Sequence, residues 1–307
     1  IMQWVTKEGK DLRELSKQDT NVYAERAIVH LSPILLNHIL SSSNRYKYLQ
    51  RKLQDVVARA TFILSEQARK SGFTPVSVEV GFGDKQTLKP LVISLPNGYE
   101  LILRGRIDRV DQAIYDQKLY LRIVDYKSSE TKLNLLDVYY GLALQMLTYL
   151  DVILSQSEEW LGMKAQPAGV LYFHVHNAMI SNNQDLADDR LEKELFRQYK
   201  MQGMLISDEQ IVKLMDTSLE SGTSDIIPVG IKKDGNFYSY SQVASDQIFT
   251  NLRSYIRQLM IQAGIQMTSG DIELNPFERG NRTACTFCMF KSLCQFDPSL
   301  DENNFRR

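Results

Sequence analysis

The sequence has few residues of the kinds that mark secreted or membrane proteins. Only 3 of its 307 residues are cysteine, and all of them lie near the C-terminus. Such a cluster does not make the disulfide framework of a secreted protein, and we expect a cytoplasmic, reducing setting. No apolar run approaches the ~20 residues that a membrane-spanning helix needs. Ile1-Met2-Gln3-Trp4 leads directly into charged sequence, so we expect no signal peptide and interpret the chain as a piece of a longer protein.

An excess of charge of either sign is also absent. Lys and Arg number 36 against 37 Asp and Glu, which gives a net charge of −1. The overall charge therefore carries no signature of nucleic-acid binding, and any such contact must use a local patch. The hydrophobic content of 43% suffices for a sizeable core, and the length fits one or two domains.

Periodicity divides the chain into a helical N-terminal part and a strand-rich centre. Residues 1–75 carry apolar residues at helical spacing, for example Leu49 and Leu53, whereas strand-like alternation begins at residue 76. Pro96-Asn97-Gly98 is a hairpin-turn signal. The predicted fold class is α/β, with strands at 76–82, 91–95, about 100–108, about 118–126 and 169–176 and a helix at about 135–154. The predicted domains are 1–75, a core at 76–276 with a helical insertion at about 178–224, and a cysteine-bearing tail at 277–307.

Two acidic residues and a lysine stand at the predicted ends of neighbouring strands. Asp108 closes one strand, and Asp125 nearly closes the next, with Lys127 two positions later. Positions i and i+2 of a strand share a face, so Asp125 and Lys127 point the same way. Two carboxylates can hold Mg²⁺, which polarises a phosphate and lowers the pKa of a bound water, and a lysine can stabilise the developing charge. The pattern indicates phosphodiester hydrolysis; the alternative is two surface strands with solvated charges.

Polar residues on other elements extend this candidate site. Gln145 and Tyr149 are four positions apart and share one face of the predicted helix, from which they can orient a substrate or a metal-bound water. The alternative is a half-buried helix with incidental polar residues. Glu79, in the first predicted strand, is either a third active-site carboxylate or a solvated strand residue.

The histidines are interpreted as structural. His30 and His38 fall on apolar helices, and His174 and His176 share one face of a strand. Metal binding by the latter pair is the alternative, but no carboxylate stands at a suitable local spacing.

Together these motifs resemble those of the PD-(D/E)xK nuclease superfamily, in its RecB-like branch. Asp108 matches the first acidic motif, although Ile107 stands where many members have proline. Asp125-Tyr126-Lys127 matches the (D/E)xK motif, and Gln145 with Tyr149 matches QxxxY. Longer stretches are similar to the C-terminal nuclease domains of the AddB (RexB) family, which belong to bacterial AddAB helicase–nucleases. These stretches are 78–83, 141–150, 167–176 and the cysteine-bearing tail.

The resemblance implies a restriction-endonuclease-like core with a central mixed sheet flanked by helices. It implies a Mg²⁺-dependent exonuclease that cuts single-stranded DNA ends, the 5′-ended strand in particular, during double-strand break repair by homologous recombination. The implied partner is an AddA-type helicase subunit. The implied catalytic residues are Asp108, Asp125, Lys127, Gln145 and Tyr149, and the implied metal-binding positions are Asp108, Asp125 and Tyr126.

The resemblance also gives a meaning to the tail, where Cys285, Cys288 and Cys294 follow the pattern C-x₂-C-x₅-C. In AddB proteins such cysteines hold a [4Fe–4S] cluster, whose fourth cysteine lies upstream of the first helix. This chain has no cysteine before Cys285, and the family's active-site histidine has no clear match. Both absences fit an N-terminal truncation.

Three alternatives follow from the same residues. The chain could be a DNA-binding or scaffolding module with a degenerate nuclease site, although the intact Asp108, Asp125, Lys127 and Gln145 argue against this. It could be an interaction domain held together by zinc on its cysteines. The cysteines could also be unliganded and buried.

Overall fold

The computed structural model of the chain describes residues 1–34, 42–178, 188–280, 282–286, 288–300 and 305–306. His38, which was predicted to fall on an apolar helix, lies outside these residues. The α-helices are α1 (Met2–Lys7), α2 (Lys17–Leu31), α3 (Asn44–Arg69), α4 (Leu135–Tyr139), α5 (Gln145–Leu161), α6 (Asp188–Gln198), α7 (Glu209–Met215), α8 (Asp246–Ser269) and α9 (Lys291–Cys294), with a 3₁₀ helix at Leu12–Glu14. No helix in the described part of the chain is both long enough and apolar enough to span a membrane.

The strands form one central sheet and three small ones. They are β1 (Thr74–Phe82), β2 (Leu91–Ser94), β3 (Glu100–Leu103), β4 (Gly105–Tyr115), β5 (Lys118–Lys127), β6 (Ala165–His174), β7 (Gln202–Ile206), β8 (Gly222–Thr223), β9 (Gly230–Ile231), β10 (Val243–Ala244), β11 (Glu278–Arg279) and β12 (Arg282–Thr283). The central sheet has six strands in the order β1-β4-β5-β6-β7-β10. The pairs β5–β6 and β7–β10 are parallel, and the other neighbours are antiparallel. The expected mixed central sheet flanked by helices is confirmed.

The middle of the sheet is the core of the molecule. Leu121, Ile123 and Val124 of β5 have no exposed surface, and neither do Val170 and Leu171 of the neighbouring β6. Near-continuous apolar burial is typical of strands that are covered on both faces. The helix α5, which connects β5 to β6, packs on both strands and on α8. The C-terminal ends of β5 and β6 are therefore held rigidly, and they carry the candidate site.

The N-terminal part is helical, as predicted, and its helices begin at side-chain caps. Ser16 caps α2 in a capping box with Asp19, and Ser43 caps α3. Buried small residues of α3, such as Ala60 and Ala68, let this long helix join the core beside α2. His30 packs its ring edge-on against Trp4 at 5.7 Å.

Three details of the predicted elements were wrong. The strand expected at about 100–108 is two strands: β3 pairs only with β2, as the predicted hairpin, and β4 starts at Gly105. Asp108 consequently lies inside β4 rather than at its end. The helix expected at about 135–154 is interrupted after Tyr139, where Gly141 adopts a φ of 77°, and α5 begins at Gln145. Such a left-handed backbone ends a helix and suits glycine.

Residues 202–204 fall within the helical insertion expected at about 178–224, but they belong to a strand of the central sheet. β7 starts at Gln202 and pairs with β6 through Gly169 to Tyr172. Gly203 makes this pairing possible, because a Cβ atom there would stand 2.0 Å from the carbonyl oxygen of Val170. The domain boundaries near residues 75 and 276 remain a prediction.

The described part of the tail packs on α4. The ring of Phe277 lies 4.8 Å from that of Tyr140, and Arg279 Nη1 lies 3.4 Å from Asp137 Oδ1. Farther along, Arg306 Nη2 donates to the carbonyl oxygen of Tyr140. The tail is thereby connected to the segment that leads from β5 to α5.

Candidate active site

The strand register places three acidic residues in one row across the sheet. Arg109 of β4 pairs with Val124 of β5, so the preceding residue, Asp108, lies level with Asp125. On the other side, Val78 pairs with Arg109 and Val80 pairs with Ile107, which puts Glu79 level with Asp108. Adjacent strands lie about 4.8 Å apart, so the row brings carboxylates from three strands to one edge of the sheet.

Asp125 is the most buried of these carboxylates, with 2% of its side chain exposed. Its Oδ2 atom lies 2.8 Å from Lys127 Nζ, yet it receives no well-aligned hydrogen bond among the described residues. Burial raises the pKa of Asp125, the Lys127 ammonium opposes this shift, and the Asp108 carboxylate adds to it. A buried carboxylate with free acceptor capacity beside another carboxylate is a favourable ligand for a hard cation.

Asp108 is oriented by the backbone of the neighbouring strand. Its Oδ2 atom accepts a hydrogen bond of 2.9 Å from the backbone N–H of Tyr126. This side-chain bond connects β4 to β5 at a point where the regular backbone pairing of the two strands has ended, and it holds Asp108 beside Asp125. Tyr126 itself turns its ring away, because successive residues of a strand alternate between faces, and the ring packs on Phe173 at 6.1 Å. Only the backbone of Tyr126 can therefore take part in binding a metal on the side of Asp125.

The helix α5 brings the second pair of predicted residues to Lys127. Lys127 Nζ donates to Gln145 Oε1 at 3.4 Å, and Gln145 Nε2 donates to the Tyr149 hydroxyl at 3.0 Å. The Tyr149 ring packs edge-on against Phe82 of β1 at 5.8 Å. The ammonium of Lys127 is thus held between Asp125 and Gln145, and Tyr149 fixes the amide of Gln145. The structure brings together all the catalytic positions that the sequence suggested.

Glu79 lies beside this cluster in an unusual backbone conformation. Its φ of 54° is in the left-handed region, which is disfavoured for a residue with a side chain and costs on the order of 1–3 kcal/mol. Glu79 lines an open pocket of about 410 Å³ together with Asp108, Arg106 and Tyr126. Glu79 Oε2 lies 3.8 Å from Arg106 Nη1. The pocket therefore combines acidic and basic groups next to the Asp108 carboxylate.

A buried ionic cluster, which the sequence did not suggest, stiffens the strands behind the site. Asp111 accepts from Arg109 Nε at 2.6 Å and from Arg122 Nε at 2.9 Å. Burial would raise the pKa of Asp111, but the two guanidinium groups hold it below its ordinary value. The Arg122 guanidinium also lies 4.8 Å from the centre of the Phe73 ring. The only sequence signal was an alternating Arg-x-Asp pattern, which equally describes a solvated strand.

The residues present fit a magnesium ion. Mg²⁺ is commonly bound by one or two carboxylates, with waters and substrate phosphates completing its octahedron. Asp108 and Asp125 provide such a pair, and the partly exposed Asp108 borders an open pocket. No cluster of three or more His, Cys, Asp or Glu side chains suited to a metal occurs among the described residues. Mg²⁺ held by Asp108 and Asp125 would take its other ligands from water and substrate.

The cysteines of the tail do not by themselves fit a [4Fe–4S] cluster. Cys288 is exposed, Cys285 and Cys294 are partly exposed, and none of them is in a disulfide. A [4Fe–4S] cluster takes four cysteine thiolates, whereas the sequence contains 3 cysteines. The alternative of buried, unliganded cysteines is therefore wrong in one respect, because none of the three cysteines is buried.

The histidines near the site make structural contacts. His174 Nε2 lies 3.2 Å from the carbonyl oxygen of Ser128, and its ring stacks on that of His176 at 4.2 Å. His176 also packs on Tyr199, at a distance of 4.7 Å. These contacts support the loop that follows Lys127.

Comparison with known proteins agrees with this geometry. The family model described as the PD-(D/E)XK nuclease superfamily matches residues 1–295. The chain is 56% identical over 308 residues to the B subunit of the ATP-dependent helicase/deoxyribonuclease of Oceanobacillus iheyensis, covering 100% of the chain and 26% of that protein. It is 51% identical over 296 residues to the protein of the same name from Bacillus licheniformis, covering 96% of the chain and 25% of that protein.

The corresponding protein of Bacillus subtilis is 49% identical over 296 residues, again covering 96% of the chain and 25% of the relative. The chain thus spans about a quarter of the length of the curated relatives it matches. The expected resemblance to AddB-type proteins is confirmed, and the chain belongs to the PD-(D/E)XK nuclease superfamily.

Proposed function

We propose that the chain is the nuclease module of an ATP-dependent helicase–nuclease, in which it hydrolyses DNA phosphodiester bonds with the aid of Mg²⁺. The observation that carries this proposal is the contact chain Asp125–Lys127–Gln145–Tyr149, next to Asp108. Two neighbouring carboxylates repel DNA phosphates unless a cation lies between them, so the arrangement favours a metal-dependent hydrolase over a DNA-binding or scaffolding module.

Each residue of the site has a proposed role that follows from its contacts. Asp108 and Asp125 would hold the cation, with the backbone of Tyr126 beside them. When bound, Mg²⁺ would supply the positive charge that polarises a phosphate and lowers the pKa of a water. Lys127 keeps its ammonium at the cluster because Asp125 and Gln145 both contact it, and it stabilises the negative charge that develops on the phosphate. Gln145 and Tyr149 orient Lys127 and do not exchange protons themselves.

The substrate and partners are proposed by analogy with the relatives. Their names describe one of the subunits of an ATP-dependent helicase with deoxyribonuclease activity. We propose that the protein pairs with an AddA-type helicase subunit in the cytoplasm and acts in double-strand break repair. In this proposal the helicase supplies a single strand, which the module cuts as an exonuclease, and the strand is the 5′-ended one.

The tail cysteines have a proposed role in the same assembly. We propose that Cys285, Cys288 and Cys294 give three ligands of a [4Fe–4S] cluster whose fourth ligand lies outside this sequence. The support is their C-x₂-C-x₅-C spacing and their free, accessible thiols. Zinc bound by the same thiolates is the competing outcome, and metal analysis distinguishes the two.

The decisive experiment measures strand cleavage by the complete helicase–nuclease, with each DNA end labelled separately. We expect cleavage of one strand to require Mg²⁺ and to disappear in the Asp125→Asn variant. Asp116→Asn is the matched control, because Asp116 lies in the turn at the opposite end of β5 in a left-handed conformation that asparagine tolerates. Cleavage of both strands by Asp125→Asn at the parent rate would contradict the proposal and favour a DNA-binding or scaffolding role.

A further inference from the structure

A second pocket opens at the same edge of the sheet, on the far side of Asp125 from Glu79. Asp125 pairs with Tyr172 of β6, and Tyr172 pairs with Gln202 at the start of β7. Two inter-strand spacings of about 4.8 Å put the backbone of Gln202 roughly 10 Å from that of Asp125.

This pocket, which we call the lysine pocket, has a volume of about 590 Å³, and none of the described residues that line it is acidic. One wall is Lys132 and Asn134, which belong to the segment between Lys127 and the helix that carries Gln145. The opposite wall comes from the starts of β7 and β10. The polar and aromatic side chains that line it are Lys132, Asn134, Lys200, Gln202, Tyr240 and Gln242.

Lys200 is the strongest sign of an anionic ligand. It is half-buried and forms no ion pair among the described residues. The nearest acidic groups are engaged elsewhere: Asp225 pairs with Arg197 at 2.9 Å, and Asp216 accepts from the hydroxyls of Ser218 and Ser224. Burial lowers the pKa of Lys200. An ammonium group that is partly removed from water without a counter-ion gains from an anion brought beside it.

Two further features match a nucleic-acid strand. Lys132 pairs with Glu130 at 2.8 Å, but both side chains are more than 60% exposed, so water and salt weaken this pair and leave the ammonium accessible. Tyr240 is 49% exposed as a residue, and its ring stacks on that of Tyr238 at 5.4 Å. A rigid, exposed aromatic beside lysines is the arrangement on which single-stranded nucleic acids stack their bases and rest their phosphates.

We propose that the lysine pocket binds a backbone phosphate of single-stranded DNA, a short distance along the strand from the bond that is cut beside Asp125. The ~10 Å separation of the two strand ends lies within the span of a few nucleotides. Lys200 and Lys132 contact the phosphate, and Tyr240 stacks on a base. This inference rests on the proposed nuclease function, and it assigns the path by which the strand crosses the edge of the sheet.

The test is the salt dependence of binding to a labelled 20-nucleotide oligothymidylate. It uses the complete helicase–nuclease with Asp125→Asn, so that the probe is not cut. We expect Lys200→Ala to weaken binding about 3- to 10-fold near 0.1 M salt and to reduce the slope of log K against log salt by about 0.7, the value for one phosphate contact on a single strand. Lys132→Ala should act in the same direction, and it is safe for folding because Lys132 is exposed.

Two control variants distinguish the effect of a positive charge in the lysine pocket from the effect of removing a positive charge elsewhere on the surface. Lys200→Arg should retain the slope because it retains the cation. Lys118→Ala removes an exposed lysine at the other end of β5 and should leave the slope unchanged. In the cleaving enzyme, Lys200→Ala should raise KM more than it lowers kcat, as expected for a binding contact away from the reacting atoms.

The proposal is overturned if Lys200→Ala and Lys132→Ala both give the slope of Lys118→Ala, an outcome that would assign the pocket to a ligand other than DNA. A failure of the nuclease function has a different signature: Asp125→Asn then cleaves like the parent, while the binding slopes still report on the pocket.

Discussion

The Nζ atom of Lys127 lies 2.8 Å from the Oδ2 atom of Asp125, and Asp125 is almost completely buried whereas Lys127 is 30% exposed. This asymmetry means that the carboxylate depends on the lysine for neutralisation, while the lysine can also reach a substrate. Asp108 adds a second negative charge on the other side of Asp125. Asp108 and Asp125 therefore share the neutralising charge of Lys127.

The first prediction concerns Asp125 itself. Asp125→Asn should remove several kcal/mol of transition-state stabilisation, more than about a 100-fold loss of cleavage rate, because a metal-binding carboxylate is lost. The thermal stability of the chain without metal should be unchanged or higher, because the buried charge of Asp125 is unfavourable there, as its raised pKa shows. Strand cleavage and a melting curve in EDTA check both parts. A large loss of stability would mean that Asp125 is structural.

The second prediction ranks the helix residues below the carboxylates. Gln145→Ala should lower turnover less than Asp125→Ala, because Gln145 only holds Lys127 at 3.4 Å. Tyr149→Phe should have a smaller effect again, since it removes the hydroxyl that Gln145 contacts but keeps the packing on Phe82. Single-turnover cleavage rates of the variants give the order. An equal loss in Gln145→Ala and Asp125→Ala, with both folded, would contradict this ranking.

Much of this site was predictable because its residues are close in sequence or have a fixed period. Asp125 and Lys127 share a strand face by alternation, and Gln145 and Tyr149 share a helix face by their spacing of four. The position of Asp108 inside β4 was not predictable, since Val110-Asp111 resembles the start of a polar turn. Asp111 can be buried because Arg109 and Arg122 neutralise its charge. Arg122 lies on the neighbouring strand, and a local sequence pattern does not show which residues pair across two strands.

The lysine pocket was unpredictable for a related reason. Lys132, Lys200 and Tyr240 come from three separate segments, and only the insertion of β7 between β6 and β10 brings them together. The helical insertion expected at about 178–224 had placed residues 202–204 outside the sheet. Polar residues that flank a short apolar run do not reveal whether that run is a surface segment or a buried strand.

The third prediction concerns the buried ionic cluster behind the site. Asp111→Ala should destabilise the fold by about 3–5 kcal/mol, because it leaves the guanidinium groups of Arg109 and Arg122 buried without a counter-ion. Asp84→Ala is the matched control: Asp84 also pairs with an arginine, Arg104, but both side chains are more than half exposed, and exposed pairs contribute about 0–1 kcal/mol. Denaturant unfolding of both variants provides the comparison. Equal losses would show that the Asp111 cluster is no stronger than a surface pair.

The fourth prediction is a loss of stability in mild acid through His176. Burial lowers the pKa of His176, its hydrogen bond to the His174 carbonyl opposes the shift, and the His174 charge adds to it. The folded state therefore binds fewer protons than the unfolded state once the pH falls below the ordinary histidine pKa of about 6.5. Stability is complete above that value and decreases as the pH falls toward the lower, folded pKa.

Melting temperatures measured between neutral and mildly acidic pH test this assignment. His176→Gln should flatten the dependence, because glutamine has no proton to gain. His30→Gln is the control, since His30 lies on α2 against Trp4, far along the chain from this pair. A His176→Gln variant with the same acid sensitivity as the parent would place the titrating group elsewhere.

The last prediction concerns the metal of the tail. Three thiolates leave one position of a [4Fe–4S] cluster without a cysteine, so the 307-residue chain purified in air should hold well below stoichiometric iron. A longer protein, in which this chain is extended upstream to the length of the curated relatives, should contain iron and acid-labile sulfide and show a broad absorption near the visible–ultraviolet boundary. In that protein the Cys288→Ser variant should lose the iron and the sulfide. Ser292 lies between Cys288 and Cys294 in sequence, and the control variant Ser292→Ala should keep the iron and the sulfide. Zinc in place of iron in the longer protein would contradict the cluster, and stoichiometric iron in the 307-residue chain would show that three cysteines are enough to hold it.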